Sequence, residues 1–470
     1  MYRLLILMVF FSSCRTYQIS KKEPLVKSSP NVLFIMVDDL RPELGCYGAS
    51  QVISPNIDKL ASKAVLFNKA YCNVPVCGAS RASILTGILP TLNRFVQYDA
   101  LAEKDVPKAK TLPQQFKEAG YKTFSIGKVF HSKHDSEQKS WSEPAWRKYQ
   151  EEEDELNYRL SLDPKTLNHL SKRGRGSIVE SPDVDDWQYP DGQTALKTMK
   201  KLEILKDSGE PFFLACGFVR PHMPFYAPKK YWNLYNRDSI ELADNIFRPK
   251  DAPKALHGSG ELKNYYLNGM KRNSEEFHRV MKHGYLASVS YTDKLIGDVL
   301  SKLEDLNLDK NTIIVLWGDH GWHLGEHNFW GKHNTMNLSL KVPLMIKLPN
   351  INKGNTSNAI VESVDLYPTL CELTGVKPPE TLQGKSFVKN ISNPKLSFRE
   401  YAYSRFLDGD AITTKEYSFT EYTGKKPGMM LYNLKIDPEE NENIANKPEN
   451  KEVVKQMLEL IKLAKKRAIE

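Results

Sequence analysis

Cysteine is scarce in this chain: six in 470 residues, at Cys14, Cys46, Cys72, Cys77, Cys216 and Cys371. They stand far apart with no CxxC pair, which excludes a zinc-ribbon pattern, and a chain this long does not need a disulfide framework to hold its core. Beyond the N-terminus no apolar run approaches the ~20 residues that a membrane-spanning helix requires. Internal repeats are absent and low-complexity stretches are few, so neither a solenoid nor a disordered polymer fits. A concentrated basic stripe is also missing. The net charge is +9, but Lys and Arg are scattered, which argues against a nucleic-acid partner and gives weak support to a polyanionic one. The densest basic cluster, Lys462, Lys465, Lys466 and Arg467, closes a terminal amphipathic helix and reads as a solvated face. What remains is an ordinary globular balance, 40% hydrophobic and 26% charged, enough for one large domain and a smaller one.

At the N-terminus Arg3 precedes the apolar run Leu4–Phe11 and then Ser12-Ser13-Cys14. The run is too short to span a bilayer and reads as a secretory signal. Small residues directly before Cys14 resemble a bacterial lipoprotein cleavage site, so the expectation is export, to the periplasm or to an outer-membrane or cell-surface lipid anchor at Cys14. Residues 1–22 are read as signal and tether.

Short apolar, β-rich runs then end repeatedly in polar or glycine residues. Val32–Val37 leads into Asp38-Asp39, Phe212–Cys216 into Gly217 and Arg220-Pro221-His222, and Thr312–Trp317 into Gly318-Asp319-His320-Gly321. Uninterrupted apolar runs of this length suit strands buried on both faces of a parallel sheet. Cys216 in the second run is expected as a buried hydrophobe. Helical periodicity lies between the runs: Tyr285, Val289, Ile296, Val299 and Leu303 share a face, and Ser54-Pro55 looks like an N-cap and first position of a helix through Ala64. The alternation predicts an α/β fold with helices on both sides of a large, mostly parallel mixed sheet. After about Gly375 a Pro-containing connector, Val376–Thr381, leads to strand-like pieces at Tyr401–Arg405, Ala411–Tyr422 and Met429–Leu434 and a helix from about Asn450. These predict a smaller C-terminal α+β subdomain with an antiparallel sheet, over 386–470, after a main domain over 23–385. Ser132–Asp185 is charged and poorly periodic, an insertion of loops.

In open α/β sheets ligands gather at the carboxyl ends of strands, where all three runs carry their Asp or His residues. Adjacent carboxylates there repel each other unless a cation lies between them. Asp38-Asp39 alone could be a helix cap, but a cap does not explain a second acidic cluster at Asp319. Cys77 opens the segment Cys77-Gly78-Ala79-Ser80-Arg81-Ala82-Ser83-Ile84-Leu85-Thr86-Gly87. Taken alone, it would be a half-buried thiol at a helix start.

That segment resembles the signature of the formylglycine-dependent sulfatases, in the alkaline phosphatase superfamily. Cys77, Ala79, Ser80, Arg81, Leu85, Thr86 and Gly87 match. The family's first metal motif is matched by Val37-Asp38-Asp39-Leu40-Arg41-Pro42 with Gly45-Cys46-Tyr47-Gly48. The second is matched by Gly318-Asp319-His320-Gly321 with Gly325-Glu326-His327. Gly127-Lys128-Val129-Phe130-His131, Phe218–Pro224 with His222, and Trp330-Gly331-Lys332 complete the set. His320, where many sulfatases have Asn, and the run Val37–Gly48 resemble the iduronate-2-sulfatase branch and bacterial polysaccharide sulfatases. The resemblance extends over nearly the whole chain after the signal and implies an alkaline-phosphatase-like fold.

It also implies a sulfuric ester hydrolase in which a maturation enzyme oxidises Cys77 to formylglycine (3-oxoalanine). One Ca²⁺ would be held by Asp38, Asp39, Cys77, Asp319 and His320, although an imidazole ligand leaves Mg²⁺ or a softer metal open. Arg81, Lys128 and His131 would hold the aldehyde hydrate, while His222 and Lys332 would bind the ester and serve the leaving oxygen. One hydroxyl of the hydrate would attack sulfur and the other later expel sulfate. A formylglycine phosphodiesterase or phosphonate monoester hydrolase would share nearly all of these residues, whereas a non-catalytic lipoprotein that binds sulfated glycans predicts degraded catalytic positions, and none is missing. The expected substrates are sulfated polysaccharides or oligosaccharides, algal ones such as ulvan or carrageenan, or uronate 2-sulfate units of glycosaminoglycans. Arg94, Arg220, His323 and Trp330 lie near the motifs in sequence and are candidate sugar contacts.

Overall fold

The computed structural model describes residues 29–132, 135–148, 161–163, 176–349 and 351–470. The expected signal and the lipid anchor at Cys14 lie outside these residues, as do parts of the 132–185 insertion. The main sheet is built from β1 (Asn31–Val37), β2 (Val65–Tyr71), β3 (Lys122–Gly127), β4 (Phe212–Phe218), β5 (Thr312–Gly318), β6 (Lys341–Val342), β7 (Leu344–Lys347) and β8 (Asn355–Glu362). Its order is β6-β2-β7-β5-β1-β4-β3, with β8 also paired to β2. The adjacent strands β5, β1, β4 and β3 run parallel, and β7 is antiparallel to both β5 and β2. This is the mostly parallel mixed sheet expected from the apolar runs.

Every residue of β1, β4 and β5 is buried because helices cover both faces. Alternate residues of β1 serve different layers. Leu33, Ile35 and Val37 pack with α1 (Pro55–Ala61), α3 (Pro190–Ser208) and α4 (Glu275–Asp305). Val32, Phe34 and Met36 pack toward α2 (Cys77–Thr86) and α5 (Leu366–Thr374). Cys216 is wholly buried, with Thr198 Oγ1 3.2 Å from its sulfur. The five described cysteines are all free thiols. Among the described residues no helix is long and apolar enough to cross a membrane.

Three local expectations are corrected. Ser54 takes the N-cap position of α1 with Pro55 at its start, but its hydroxyl makes no capping bond: it accepts from Gly45 N and donates to Asp58, and the Asp293 carboxylate of α4 receives the Asn56 and Ile57 amides. The helix ends at Ala61, and β2 begins at Val65. The helix read from Tyr285 starts at Glu275, because Ser274 Oγ accepts the Phe277 amide and caps it. The run Ala411–Tyr422 is two strands. Thr414 Oγ1 accepts the Glu416 and Tyr417 amides and turns the chain, giving an antiparallel meander of β9 (Tyr401–Phe406), β10 (Gly409–Thr414), β11 (Tyr417–Tyr422) and β12 (Gly428–Asn433).

The terminal helix α6 (Lys451–Ile469) is only partly the solvated basic face expected. Arg467 pairs at 2.7 Å with Glu362 and Lys465 at 2.8 Å with Asp410, both carboxylates fully buried, while Lys462 and Lys466 stay exposed. The helix is therefore fastened to the sheets by two of the four cations in that cluster.

One close approach fixes where β3 and β4 deliver their ends. A Cβ on Gly217 would lie 2.0 Å from the Lys128 carbonyl oxygen, and one on Gly127, at φ 77°, would lie 2.1 Å from the Gly217 oxygen. Gly217→Ala is expected to destabilise the chain by about 1–3 kcal/mol, read as a lower urea midpoint with an unchanged slope. An unchanged midpoint would show that this crossing is not constrained.

Candidate active site

The four parallel strands deliver their polar ends to one place. In register, Val37 of β1 stands opposite Phe218 of β4 and Gly318 of β5, and Gly127 of β3 opposite Gly217. The ladder continues one residue further: Asp38 N donates to Phe218 O at 3.1 Å, Asp319 N to Val37 O at 3.3 Å and Lys128 N to Gly217 O at 2.8 Å. Asp38, Asp319 and Lys128 thus leave the sheet from fixed backbone. Asp39 takes a left-handed φ of 59°, a conformation that Asp tolerates better than most residues. Cys77 arrives from elsewhere, as the first residue of α2, a helix whose ten residues are all buried. Gly78 has no room for a side chain, since a Cβ would lie 1.9 Å from Tyr98 O. The partial positive charge of the helix N-terminus is therefore aimed at the carboxylates.

Ligand atoms of Asp38, Asp39, Cys77 and His320 all lie within 4.8 Å of one another, and all four residues are buried. His320 Nδ1 lies 3.1 Å from Gly321 O and can only donate to it, which leaves the Nε2 lone pair facing Cys77 Sγ at 3.2 Å and Asp39 Oδ1 at 3.4 Å. Burial lowers the His320 pKa to about 4, so the ring is neutral and able to ligate. Asp38 Oδ1 and Asp39 Oδ2 are buried and accept no hydrogen bond, a costly state for carboxylate oxygens. Two such oxygens beside a bare imidazole nitrogen fit a divalent cation. Asp319 adjoins the set, its Oδ1 3.6 Å from His320 Nε2. Its carboxylate accepts from the Asp39 and His320 amides and from Arg81 Nε at 2.9 Å.

Fixed cations surround these carboxylates. Lys128 Nζ donates to Asp38 Oδ2 and Lys332 Nζ to Asp39 Oδ1 at 2.8 Å. Arg81, fully buried, also donates to the carbonyls of Lys128 and Val129 and lies 3.5 Å from Asp38 Oδ1. Burial opposes charge on Asp38, yet Lys128 and Arg81 hold its carboxyl well below the usual range. Burial pushes Asp39 up, and burial together with Asp38 pushes Asp319 up to about 7. The Cys77 thiol is pushed well above its ordinary value by burial and by Asp38. As an unmodified cysteine it is a protonated, poor nucleophile.

His222 and Lys332 meet at a residue that motif reading missed. Glu261 Oε1 lies 3.1 Å from His222 Nε2 and Oε2 3.1 Å from Lys332 Nζ. Burial disfavours its charge, but Lys332 and His222 hold its carboxyl well below the ordinary range. Glu261 opens a single 3-10 turn, Glu261–Asn264, in an aperiodic stretch, and no sequence signal marks it. His222 Nδ1 contacts Met223 O, so both ring nitrogens face acceptors. His131 is half-buried with Nδ1 unbonded, and burial next to Lys128 keeps its pKa well below the ordinary value.

The four candidate sugar contacts have structural roles instead. Arg94 donates to Leu89 O and Ala468 O, anchoring α6. Arg220 braces the turn that carries His222, donating to Tyr226 O and His222 O. His323 and Trp330 are buried, His323 against Asn334 and the Trp330 indole donating to His278.

The sulfatase family model matches residues 30–376, and a model described as N-sulphoglucosamine sulphohydrolase, C-terminal, matches residues 325–467. The chain is 36% identical to an iduronate 2-sulfatase from Mus musculus over 401 residues, spanning 76% of this chain and 71% of that protein. It is 32% identical to a sulfatase from Formosa agariphila over 94% of this chain and 88% of that one. A phosphonate monoester hydrolase structure from Silicibacter pomeroyi superposes with a TM-score of 0.76 at 21% identity, covering 94% of this chain and 96% of that one, a likeness of fold.

A cation that binds this cluster must displace protons from it. With its pKa raised to about 7, Asp319 favours the folded metal-free chain at low pH and withdraws that support as pH rises toward 7. A bound cation gains stability over the same interval. Saturating Ca²⁺ is expected to raise the Tm of chelator-treated protein by about 3–5 °C at pH 7.5, less at pH 5.5, and not at all in Asp39→Asn. An equal rise in that variant would place the cation elsewhere.

Proposed function

The chain belongs to the sulfatase family, and on that premise we propose that it removes sulfate from saccharide chains at Cys77, oxidised to formylglycine, beside one Ca²⁺. The observation that carries this reading is the convergence of Cys77 with Asp38, Asp39 and His320, two of whose carboxylate oxygens are buried without a hydrogen bond. In that setting the buried thiol itself is protonated and unsuited to attack. Hydrated formylglycine at this position supplies a hydroxyl as the attacking oxygen. Asp38, Asp39 and His320, with Asp319 beside them, would hold a Ca²⁺, which would supply positive charge for the sulfate oxygens.

The chain's own groups do the remaining work. Arg81 is locked by Asp319 and by two carbonyls, and with Lys128 it fixes the carboxylate cluster on either side of residue 77. Lys332 and His222 stand on the far side of Asp39, where they can hold the ester and pass a proton to the departing oxygen. Glu261 faces His222 Nε2 at 3.1 Å and helps to orient its ring. His131, kept neutral by burial beside Lys128, adds no charge to the site.

The iduronate 2-sulfatase relative supports a sulfated saccharide substrate, such as a uronate 2-sulfate unit; a sulfated algal polymer such as ulvan or carrageenan is the other candidate class. The phosphonate hydrolase likeness concerns the fold. A non-catalytic glycan binder would be expected to lack reactive positions, and Cys77, Arg81, Lys128, His131, His222 and Lys332 are all present. An exported enzyme, by lipid anchor at Cys14 or free in the periplasm, would meet such polymers.

The test is turnover by protein produced with a maturation enzyme. Sulfate release is expected from ulvan, carrageenan, heparan or dermatan fragments, with phenylphosphonate monoesters and phosphodiesters far poorer substrates. Cys77→Ala should abolish release, and His222→Ala or Lys332→Ala should lower kcat by about 10²–10⁴-fold. Phosphonate or phosphodiester turnover exceeding that of every sulfate ester would overturn the reading.

A further inference from the structure

A second basic site lies at the outer end of the sheet, away from the residues assigned above. Lys69 of β2, Lys341 of β6 and Lys415 of the β10–β11 turn line one open cleft of about 440 Å³, between the edge of the main sheet and the C-terminal meander. That volume is in the range of built ligand sites. Asn68, Asn358 and Tyr71 share the lining, and Asn68 Nδ2 donates to Asn358 Oδ1 at 3.0 Å.

The three ammonium groups are not neutralised. Among the described residues no carboxylate pairs with Lys69, Lys341 or Lys415. The nearest acidic residue of the turn, Glu416, is taken by Lys435 at 3.2 Å. Burial, and then Lys415, lowers the Lys69 pKa. Burial, and then Lys69, lowers that of Lys341. The lysines lining the cleft are thus close enough to repel one another. An anionic ligand with several charges would turn that repulsion into attraction.

We propose that this cleft binds a further sulfated or carboxylated stretch of the saccharide chain whose sulfate ester is presented to the active site. Three cations match anionic groups spaced along a polymer, and the side-chain amides of Asn68 and Asn358 match sugar hydroxyls. The cleft opens at the same edge of the sheet as the active site: Tyr71 ends β2, which runs in the direction of β5, and Pro42 of the lining lies three residues beyond Asp39. The identity of the anion rests on the proposed sulfatase reading, whereas the cleft and its unpaired charge do not.

The experiment measures retardation of the full chain in native gels containing dextran sulfate. It compares wild type, K69Q/K415Q, the single exposed change K415Q, and K425Q/K426Q, which removes the same charge from an exposed loop. The apparent Kd is expected to rise by about fivefold or more in K69Q/K415Q, by a smaller factor in K415Q, and by less than about twofold in K425Q/K426Q. Equal weakening in the two double variants would mean that only net charge matters and would overturn the proposal. So would loss of binding to phosphatidylglycerol vesicles with dextran sulfate binding intact, which would assign the cleft to a lipid surface. Hydrolysis of 4-nitrophenyl sulfate by the same wild-type preparation reports on the active site separately. If it is absent while the binding difference remains, the cleft stands and the catalytic reading fails.

Discussion

The structure depends on keeping a cluster of charge out of water. Asp38, Asp39 and Asp319 are wholly buried, and Arg81, Lys128 and Lys332 nearly so. Each would cost several kcal/mol if buried alone. Mutual pairing offsets that cost only if every partner is held in place, and much of the fold does this holding. Four parallel strands end in register, glycines at 127 and 217 let two of them cross closely, and α2 is buried on all sides. With Glu261, four carboxylates face three permanent cations. A divalent cation would leave the site with one net positive charge, the complement of a sulfate monoester. The unbonded oxygens of Asp38 and Asp39 are where that cation fits.

The same constraint explains what could be read in the sequence. Asp38-Asp39, Asp319-His320 and the Cys77 helix were legible because each side chain follows directly on an apolar strand or opens a short, distinctive segment, so a linear motif marks it. The sheet was legible for the same reason: strands buried on both faces announce themselves as unbroken apolar runs. Glu261 was not legible. It belongs to a single turn in an aperiodic stretch, and only the fold brings it between His222 and Lys332. Arg94, His323 and Trp330 show the opposite failure, since nearness to a motif in sequence did not predict where the side chains point. Arg94 and the cations of α6 instead fasten the last helix, with Arg467 and Lys465 reaching buried carboxylates that a helical wheel cannot reveal. Ser54 stands at the N-cap position as read, but what satisfies the first helix amides is the Asp293 carboxylate, 239 positions away, which a linear reading cannot reveal.

Two electrostatic environments result. At the strand ends, cations and carboxylates are interleaved, and Cys77 is embedded where a thiol stays protonated. At the outer edge, lysines stand without carboxylates in an open cleft. The first suits chemistry on a small, dense anion, and the second suits attachment of a longer and more dilute one. The proposed action on a sulfated polymer would use both.

The central claim is that residue 77 acts in an oxidised form, and the most direct measurement is mass spectrometry of the peptide containing residue 77, from protein co-produced with a formylglycine-generating enzyme. The account predicts an aldehyde in place of the thiol, detected as a hydrazone after labelling, in the fraction that releases sulfate. Active protein that carries only unmodified Cys77 would contradict it.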